Sequence, residues 1–295
     1  MTVERIPNLP PALKSLIKKN IPDDDIGKEL FESQYENASF FIVDDNDDKG
    51  ALVFKYIAIN KRKYTNIKQL VASSTPVYKE LIKEIISVSD KREDEGIVTD
   101  YFPDDDKAIA ILDDSKFTPL SKIYGCSVAN IKTKTDKGDI VTERYTKGSK
   151  RTNAFSELLT KFDIDINKTL NASAKQSVYD VPSKNDRTHS IKISYFLKGI
   201  IDDSAWYAFL VLDKNEAIGF IKGKIDNTSH TVLTEIYIEP AHLDEYAGKA
   251  LNVFVNALPK SVKYLSYVTS ENNKSIVHVC EKYFGKALGS SFIRV

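Results

Sequence analysis

The residue types that most often bind metal ions or act as nucleophiles are scattered along this sequence. The two cysteines, Cys126 and Cys280, have no metal-ligand spacing and are too few for a disulfide framework. The acidic run Asp104–Asp106 lacks the alternation, the glycine and the glutamate of an EF-hand loop. No histidine forms an i, i+4 pair with a second ligand; the four are His189, His230, His242 and His278. The sequence therefore predicts no metal site, and its cysteine usage favours a reducing compartment, the cytoplasm.

A strand followed by a helix offers another kind of chemistry, the binding of phosphate groups. The segment Thr234–Pro240 (TEIYIEP) has a strand pattern, and Tyr246–Ala257 has the apolar periodicity of a helix, with Gly248 near its start. Backbone N–H groups at a helix N-terminus bind phosphate through their unpaired donors and the helix dipole. Glycine is needed where backbone must touch the phosphate. An ordinary helix start that happens to contain a glycine is the alternative interpretation.

The C-terminal half of the chain, roughly Ile191–Val295, resembles the acyl-CoA-binding core of the GNAT N-acetyltransferase family. Thr234–Pro240 is similar to the family's central strand, which ends in an apolar-x-apolar-acidic-Pro pattern. The family's phosphate loop follows this strand and has the form Gln/Arg-x-x-Gly-x-Gly/Ala. Two alignments match it here, Leu243–Gly248 and Glu245–Ala250, and both retain Gly248 without the leading basic or amide residue.

A second motif carries the same resemblance. Asn272–Phe284 (NNKSIVHVCEKYF) is similar to the family's Asn-x-x-Ala-x-x-x-Tyr-x-x-x-Gly-Phe helix and keeps its first asparagine and its last phenylalanine. Val279 stands where the family often has a tyrosine that protonates the departing CoA thiolate. Cys280 and Tyr283, which lie nearby, are the weak candidates for that acid.

The resemblance implies an acetyl-CoA or other acyl-CoA co-substrate, no metal, and roles for particular residues. Glu235, on the central strand, is the candidate general base, since a carboxylate in a partly dry cleft can have its pKa raised toward the working pH. A solvent-facing strand carboxylate is the alternative for this residue. The residues expected to bind the cofactor, along the strand, in the loop and before the next helix, are Ile236, Tyr237, Ile238, Leu243, Glu245, Tyr246, Ala247, Gly248, Lys249, Ala250 and Asn272.

The N-terminal half looks like a degenerate copy of the C-terminal half. Pro103–Phe117 aligns without a gap with Ser270–Phe284, and Tyr78–Val88 aligns with Gly248–Leu258. No glycine corresponds to the loop glycine, and Asp104–Asp106 would repel phosphate. This half is therefore not expected to bind CoA; it would shape the acceptor pocket or hold the second domain.

The sequence predicts an α/β (α+β) fold of two tandem GNAT-like domains, each a mixed, mostly antiparallel sheet flanked by helices. The domains are predicted at 1–131 and 154–295, with 132–153 as a polar connector and 171–188 as loop. A hairpin is expected over Ala38–Asn60, around a turn at Asn46–Gly50. The predicted helices are Pro10–Asn20, Thr75–Val88 with Thr75 as its N-cap, Asp104–Asp114, Phe155–Phe162, Tyr246–Ala257 and Asn272–Tyr283. The other predicted strands are Gly96–Phe102, Leu120–Ile131, Ile191–Leu197, Trp206–Asp213, Ala217–Lys224, Val232–Glu239, Tyr264–Thr269 and Leu288–Val295.

Composition restricts the partners of the protein. Lys plus Arg and Asp plus Glu number 42 each, so no net field draws the chain to nucleic acid or to an anionic membrane. No apolar stretch approaches the ~18–20 residues of a spanning helix, and nothing in the sequence indicates an oligomeric state.

Two functions follow as hypotheses. The first is an acyltransferase that moves an acetyl or other acyl group from acyl-CoA to a small-molecule or peptide amine. The second is a non-catalytic GNAT-like binding or scaffold protein that has lost this activity, since fold alone does not fix function.

Overall fold

The computed structural model of this protein describes residues 2–6, 8, 10–19, 21, 38–45, 48–100, 102–103, 106–134, 140–183, 185–225 and 230–295. The chain forms two compact units. The first comprises Met1–Lys122, Leu170–Tyr179 and Leu288–Val295, and the second comprises Ile123–Thr169 and Asp180–Ala287. The sequence predicted a contiguous division into 1–131, 132–153 and 154–295, whereas the first unit also takes in two later segments of the chain.

The helices and strands follow the order of a mixed α/β fold, as predicted. Up to residue 127 they are β1 (Glu4–Ile6), α1 (Pro11–Lys19), β2 (Ser39–Asp45), β3 (Asp48–Ile59), β4 (Arg62–Ala72), α2 (Thr75–Lys91), β5 (Gly96–Thr99), β6 (Phe102–Pro103), α3 (Asp106–Asp114) and β7 (Thr118–Ser127). From residue 128 they are α4 (Val128–Lys134), β8 (Val141–Arg144), α5 (Thr152–Ala174), α6 (Arg187–Asp202), β9 (Trp206–Asp213), β10 (Glu216–Lys224), β11 (Thr231–Ile238), α7 (Leu243–Ala257), β12 (Tyr264–Ser270), α8 (Lys274–Tyr283) and β13 (Ala287–Arg294). None of the helices within the described ranges is long and apolar enough to cross a membrane.

The first unit is built on a sheet in the order β1-β2-β3-β4-β5-β13-β7, to which β7 contributes its first half. The pairs from β1 to β4 are antiparallel, and β4 with β5 is parallel. The apolar sides of α2 and α3 cover one face, where Leu81, Ile85 and Ile111 are buried. Leu13 and Ile17 of α1 lie in a separate core cluster with β2, β3 and β4. The helices thus bury one apolar stripe each against the sheet.

The last strand of the chain completes this first sheet. β13 pairs antiparallel with β5, placing Ile293 opposite Val98. On its other side the Thr118 hydroxyl donates to the Ile293 carbonyl at 3.2 Å. The backbone N–H of Phe292 donates to the Thr99 hydroxyl at 2.8 Å, and the Phe292 ring is 2% exposed. The core of the first unit therefore includes residues from the C-terminus.

The second unit has the sheet order β7-β12-β11-β10-β9-β8, with β11 and β12 parallel. The strands β8 to β11 are antiparallel to one another. Its two core clusters involve different helices. One cluster brings α4, α7 and α8 against the sheet, and the other brings α5 and α6. Three antiparallel strands, a helix, a parallel strand, a second helix and a final strand occur in this order in each half of the chain, which matches the predicted repeat.

The predicted strand Ile191–Leu197 was wrong, because these residues belong to α6. Ile193, Leu197 and Ile200 are buried at the i, i+4, i+7 spacing of a helix face, while Ile191 and Tyr195 are exposed. The Asp186 carboxylate caps this helix by accepting hydrogen bonds from the N–H groups of its first turn.

The predicted loop 171–188 and connector 132–153 also contain regular structure. Helix α5 continues to Ala174, far past the predicted end at Phe162, and β8 lies inside the connector. The polar composition of both segments had concealed their elements.

Strand β4 was not predicted from the sequence, although it is the central strand of the first sheet. Its polar residues Thr65, Asn66 and Gln69 are buried, so its sequence lacks the apolar alternation of a half-exposed strand. Hydrogen bonds offset the cost of burying these polar side chains. The Thr65 hydroxyl donates to Asp94 at 2.7 Å, and the Asn66 amide donates to Asp100 at 3.0 Å.

The helix predicted at Thr75 is present, and its N-cap is Ser74 rather than Thr75. Parts of some other predictions lie outside the described residues: Asn46 and Asp47 of the hairpin turn, and Asp104 and Asp105 of the acidic run.

We expect Phe292→Ala to destabilise the first unit by about 3–5 kcal/mol, because the ring is fully enclosed and its loss leaves a cavity. Val295→Ala is the matched control, since Val295 is exposed and its truncation leaves no cavity. Hydrogen exchange of the β5 and β13 amides, measured with and without urea, reports the stability of this unit. Equal protection in both variants would show that the C-terminal strand does not support the core.

Candidate functional site

A slot opens in the second unit where β11 and β12 separate. Their parallel pairing joins Thr231–Leu233 to Tyr264–Ser266. Beyond these pairs the strands line a pocket with a volume of about 90 Å³. The strand residues around it are Ile236, Tyr237, Ile238, Tyr267, Val268 and Thr269. The predicted cofactor-binding strand Ile236–Ile238 therefore borders a real opening in the sheet.

The slot is bounded on its other sides by helices of the same unit. Phe162, Asp165 and Ile166 of α5 lie at one face of the sheet, and Asn273, Ser275 and Ile276 at the start of α8 lie at the other. Pro240 and Leu243, where the chain leaves β11 and begins α7, lie at the carboxyl end of the strand. The slot thus runs from the beginning of α7 to the point where β11 and β12 pair.

Two peptide groups of β11 face this slot. The N–H of Glu239 donates to the Ile218 carbonyl of β10 at 2.8 Å, so Glu239 and Tyr237 direct their peptide groups toward β10. Successive peptide groups of a strand point to opposite edges, so those of Ile236 and Ile238 point toward β12. Tyr237 contributes its side chain instead. Its phenol stacks on Phe220 at 6.0 Å, and burial raises its pKa to about 12, with Asp165 and Glu239 adding to the effect.

Tyr267 lies at the end of the slot next to the paired segment of β11 and β12. It is the first residue of β12 after the paired segment, and its hydroxyl donates to the Ile236 carbonyl at 3.0 Å. The side chain is 2% exposed, and burial raises the pKa of the phenol well above its ordinary value. Sequence reasoning did not single out Tyr267, because a tyrosine in an apolar strand has the pattern of a core residue.

Glu235, the candidate base, is held in an ion pair. It lies directly opposite Lys222 of β10, and the Lys222 ammonium contacts its Oε2. Lys222 is 5% exposed, whereas the Glu235 side chain is about one-third exposed. Glu235 is therefore neither an isolated base nor a simple solvent-facing carboxylate.

Aromatic rings enclose the Lys222 ammonium. Its nitrogen lies 4.7 Å from the Phe196 ring centre, 5.7 Å from that of Trp206 and 6.0 Å from those of Phe162 and Phe220. Ring faces attract a cation, which offsets part of the cost of removing the ammonium from water. Phe162 also lines the slot, so this charged site and the slot share a wall.

Asp163 and His189 extend the ion pair into a charged cluster of four groups with Lys222 and Glu235. His189 Nε2 lies 3.6 Å from the Asp163 carboxylate and has no hydrogen-bond partner among the described residues. Burial raises the pKa of Asp163 above its ordinary value, while His189 and Lys222 oppose this and Glu235 adds to it. No pattern in the sequence pointed to Asp163 and His189. They lie on two different helices, α5 and α6, and periodicity does not show which side chains of two packed helices meet.

The predicted phosphate loop lies within helix α7. A single 3₁₀ turn, Pro240–His242, leads directly into the helix, whose first turn carries Asp244 and Glu245. Only the N–H groups of this first turn lack acceptors within the helix. The two carboxylates place negative charge where phosphate would bind.

The other residues predicted to bind the cofactor in this loop and before α8 make contacts within the protein. Leu243, Ala247 and Ala250 are buried in the core against the sheet. Glu245 and Lys249 pair with each other at 3.3 Å, and the Tyr246 hydroxyl donates to Asp213 at 3.0 Å. Asn272 lies in the turn before α8, with its N–H bonded to the Ser270 hydroxyl at 3.2 Å.

Gly248, Cys280 and Tyr283 form a packing contact between α7 and α8. Gly248 is buried, and a Cβ there would lie 2.7 Å from Tyr283 Cζ. Cys280 and Tyr283 are each 1% exposed, and burial raises the pKa of the Cys280 thiol. The described residues that line the slot include none of these three. The geometry explains this glycine by close helix packing. In the described part of the chain, no group of three or more His, Cys, Asp or Glu side chains could hold a metal ion.

We expect Gly248→Ala to destabilise the protein by about 1–3 kcal/mol, because the new methyl group overlaps the buried Tyr283 ring and forces it to move. Adding Tyr283→Phe should recover part of the loss by removing the oxygen that lies nearest to the new methyl group. Tyr283→Phe alone should change stability little, because the hydroxyl has no partner among the described residues. Urea denaturation followed by fluorescence of the single tryptophan, Trp206, measures all three variants. Additive effects of the two substitutions would contradict the contact.

We expect substitution of Glu235 and substitution of Lys222 in the buried ion pair to lower the free energy of unfolding by different amounts. Glu235→Gln leaves the Lys222 ammonium buried without its counter-charge and should destabilise by about 1–3 kcal/mol, allowing for the exposure of Glu235. Lys222→Met keeps a flexible apolar chain among the rings and leaves a carboxylate that can reach water, so its cost should be smaller. The same fluorescence-monitored denaturation compares the two variants. A larger loss in Lys222→Met would mean that the rings, rather than Glu235, hold the ammonium.

Comparisons with known proteins bear on the fold. No protein-family model and no curated protein matches the sequence. Among solved structures, a GCN5-related N-acetyltransferase from Sphaerobacter thermophilus superposes with a TM-score of 0.55 at 9% identity over 99% of this chain and 95% of that one. A GNAT-family acetyltransferase from Colwellia psychrerythraea gives 0.53 at 12% identity over 99% and 98%. A tandem GNAT protein from the clavulanic acid biosynthesis pathway gives 0.50 at 10% identity over the same shares. The chain therefore has the fold of a tandem GNAT protein.

Proposed function

We propose that this protein is an acyltransferase that moves an acyl group from acyl-CoA to an amine acceptor, with the second unit as its working half. The slot between β11 and β12 is the observation that carries this proposal. It is open, it is bordered by the peptide groups of Ile236 and Ile238, and it begins at the start of α7. Its place in the fold is the one that the sequence resemblance assigned to the acyl-CoA.

The slot suits the extended, amide-containing pantetheine arm of CoA. Such a chain can add to a strand edge through main-chain hydrogen bonds, which requires no particular side chain. The Ile236 carbonyl already accepts from Tyr267, yet a carbonyl oxygen has two lone pairs and can accept a second bond. The pyrophosphate would then lie at the first turn of α7.

The charged cluster beside the slot would serve the acceptor. In direct transfer the amine nitrogen forms a bond to the thioester carbon, the carbon–sulfur bond breaks, and the departing CoA thiolate takes the second proton of the amine nitrogen and leaves as the thiol. Glu235 would take the ammonium proton on Oε1, because Oε2 is engaged by Lys222. A positioned amine beside a bound thioester gains rate through proximity alone.

One observation favours the second function, a non-catalytic binding protein. The first turn of α7 carries Asp244 and Glu245, and these negative charges oppose a pyrophosphate. Weak CoA affinity would leave the same slot available to another extended chain. Measured affinity for CoA decides between the two functions.

We expect acetyl-CoA and free CoA to bind with dissociation constants in the micromolar range, about −8 kcal/mol, measured by isothermal titration calorimetry. Ser275→Trp should weaken binding by at least about tenfold, because Ser275 lines the slot and is exposed, so the indole fills the slot without entering the core. Lys274→Trp, an adjacent exposed position that does not line the slot, should bind as the unaltered protein does.

The charges on α7 provide a second arm of the same experiment. Asp244→Asn with Glu245→Gln should tighten binding a few-fold by removing repulsion at the helix N-terminus. No binding of either ligand at millimolar concentration would overturn the acyltransferase and leave the binding protein.

A further inference from the structure

The amine that contacts the candidate base belongs to the protein itself. Lys222 lies opposite Glu235 in the register of β10 and β11, and its ammonium contacts the Glu235 carboxylate. A base within hydrogen-bond reach of an ammonium is in position to take its proton. Within the folded chain, Lys222 Nζ therefore has the placement that an external acceptor amine would need.

The Lys222 side chain also lies beside the slot. Side chains of a strand alternate between the two faces of a sheet, so Glu235 and Tyr237 project from the same face of β11, and Tyr237 lines the slot. Phe162 lines the slot too, and its ring centre lies 6.0 Å from Lys222 Nζ. Lysine carries its ammonium on a flexible four-carbon stem. A change of rotamer can therefore move Nζ from its place near the Phe196 ring to the Phe162 side of the cage, where the slot begins.

The surroundings of Lys222 suit an acylated side chain. The residue is 5% exposed, and burying an ammonium this deeply costs free energy that the ion pair and the rings offset only in part. An amide carries no charge, so acylation removes this cost. The amide N–H can still donate to Glu235, and the acyl chain would contact the rings that enclose the ammonium.

We propose that Lys222 is a self-acylation site, to which the second unit transfers the acyl group of an acyl-CoA bound in its slot. Glu235 takes one proton of the Lys222 ammonium, and the freed nitrogen forms a bond to the thioester carbon. The carbon–sulfur bond then breaks, and the departing CoA thiolate takes a second proton from the nitrogen and leaves as the thiol. Lys222 keeps its third proton as an amide N–H. This inference rests on the proposed function, because the slot must bind the donor.

Self-acylation would change the charge of the whole cluster. Loss of the ammonium leaves Glu235 without its counter-charge and releases Oε2. Lys222 lowers the pKa of Asp163 and Glu235 raises it, so removal of the Lys222 charge would raise the pKa of Asp163 further. The two carboxylates would then hold a proton more readily, since neighbouring like charges disfavour ionisation of both. The modified protein is thus expected to differ from the unmodified protein in its pH dependence.

The experiment incubates the protein with saturating acetyl-CoA and no acceptor, follows the intact mass with time and locates the acetyl group by peptide mapping. Lys224 is the internal control, because it lies two residues along the same strand, pairs with Asp203 at 2.8 Å and has a side chain that is 52% exposed. Lys222 should reach an occupancy at least about tenfold above that of Lys224, despite its burial, because the bound donor and the base lie beside it. The fraction acetylated per unit time should not depend on protein concentration, since the transfer occurs within one chain.

Variants and a second donor test the route of the acyl group. Glu235→Gln should slow acetylation of Lys222 by at least about tenfold, because the base is lost. Asp203→Asn, which removes the partner of Lys224, should leave the rate at Lys222 unchanged. Lys222→Arg should gain no acetyl group at this position. Acetyl phosphate, which reacts with amines without a CoA moiety, should favour the exposed Lys224 instead.

Calorimetry with free CoA separates the failure of this inference from that of the proposed function. Binding of CoA together with no acetyl group on Lys222, or with equal occupancy of Lys222 and Lys224, would overturn the inference and leave the proposed function standing. Absence of both CoA binding and acetylation at Lys222 would overturn both.

Discussion

The parallel pairing of β11 with β12 ends after three residue pairs, and the candidate site depends on that ending. A fully paired ladder would satisfy every peptide group along both strands and leave no room between them. Here the strands diverge, so Ile236 and Ile238 present main-chain groups to a slot. Tyr267 fills part of the gap and donates its hydroxyl hydrogen bond to the Ile236 carbonyl. A polar backbone edge and a place beside Glu235 both follow from this one departure from regular pairing.

In the charged cluster beside the slot, several contacts offset the cost of burying an ammonium group. An ammonium buried as deeply as that of Lys222 loses most of its hydration, and one carboxylate rarely offsets this loss in full. The surrounding rings and the second carboxylate, Asp163, supply further attraction. Apolar side chains could have filled the layer between α5, α6 and the sheet, but this layer contains charged groups beside the slot. Buried charge of this kind is common where a protein must handle a proton or a polar ligand.

Local patterns predicted much of the fold and less of the site. The strands β9 to β13 and the helices α7 and α8 have strong periodicity and were found close to their observed bounds. Polar residues concealed β4, whose Asn66 is buried and donates a hydrogen bond to Asp100, 34 residues further along the chain. Helix α6 was taken for a strand because Ile191, Ile193 and Tyr195 alternate, although only one of the three is buried. The strand beside the slot was predicted through a family motif, whereas Lys222, Asp163 and Tyr267 required knowledge of which side chains face each other.

The position of β13 has a consequence for how the chain is made. The Phe292 N–H and its partner, the Thr99 hydroxyl, are 193 residues apart in the chain, so one edge of β5 stays unpaired while these intervening residues are synthesised. At typical ribosomal speeds of about 5–20 residues per second, that interval lasts roughly 10–40 s. During this time the unpaired β5 edge is open to pairing with other nascent chains. Pairing of β13 with β5 closes this edge, so a variant that lacks β13 would leave the first sheet with an open strand edge in the folded protein as well.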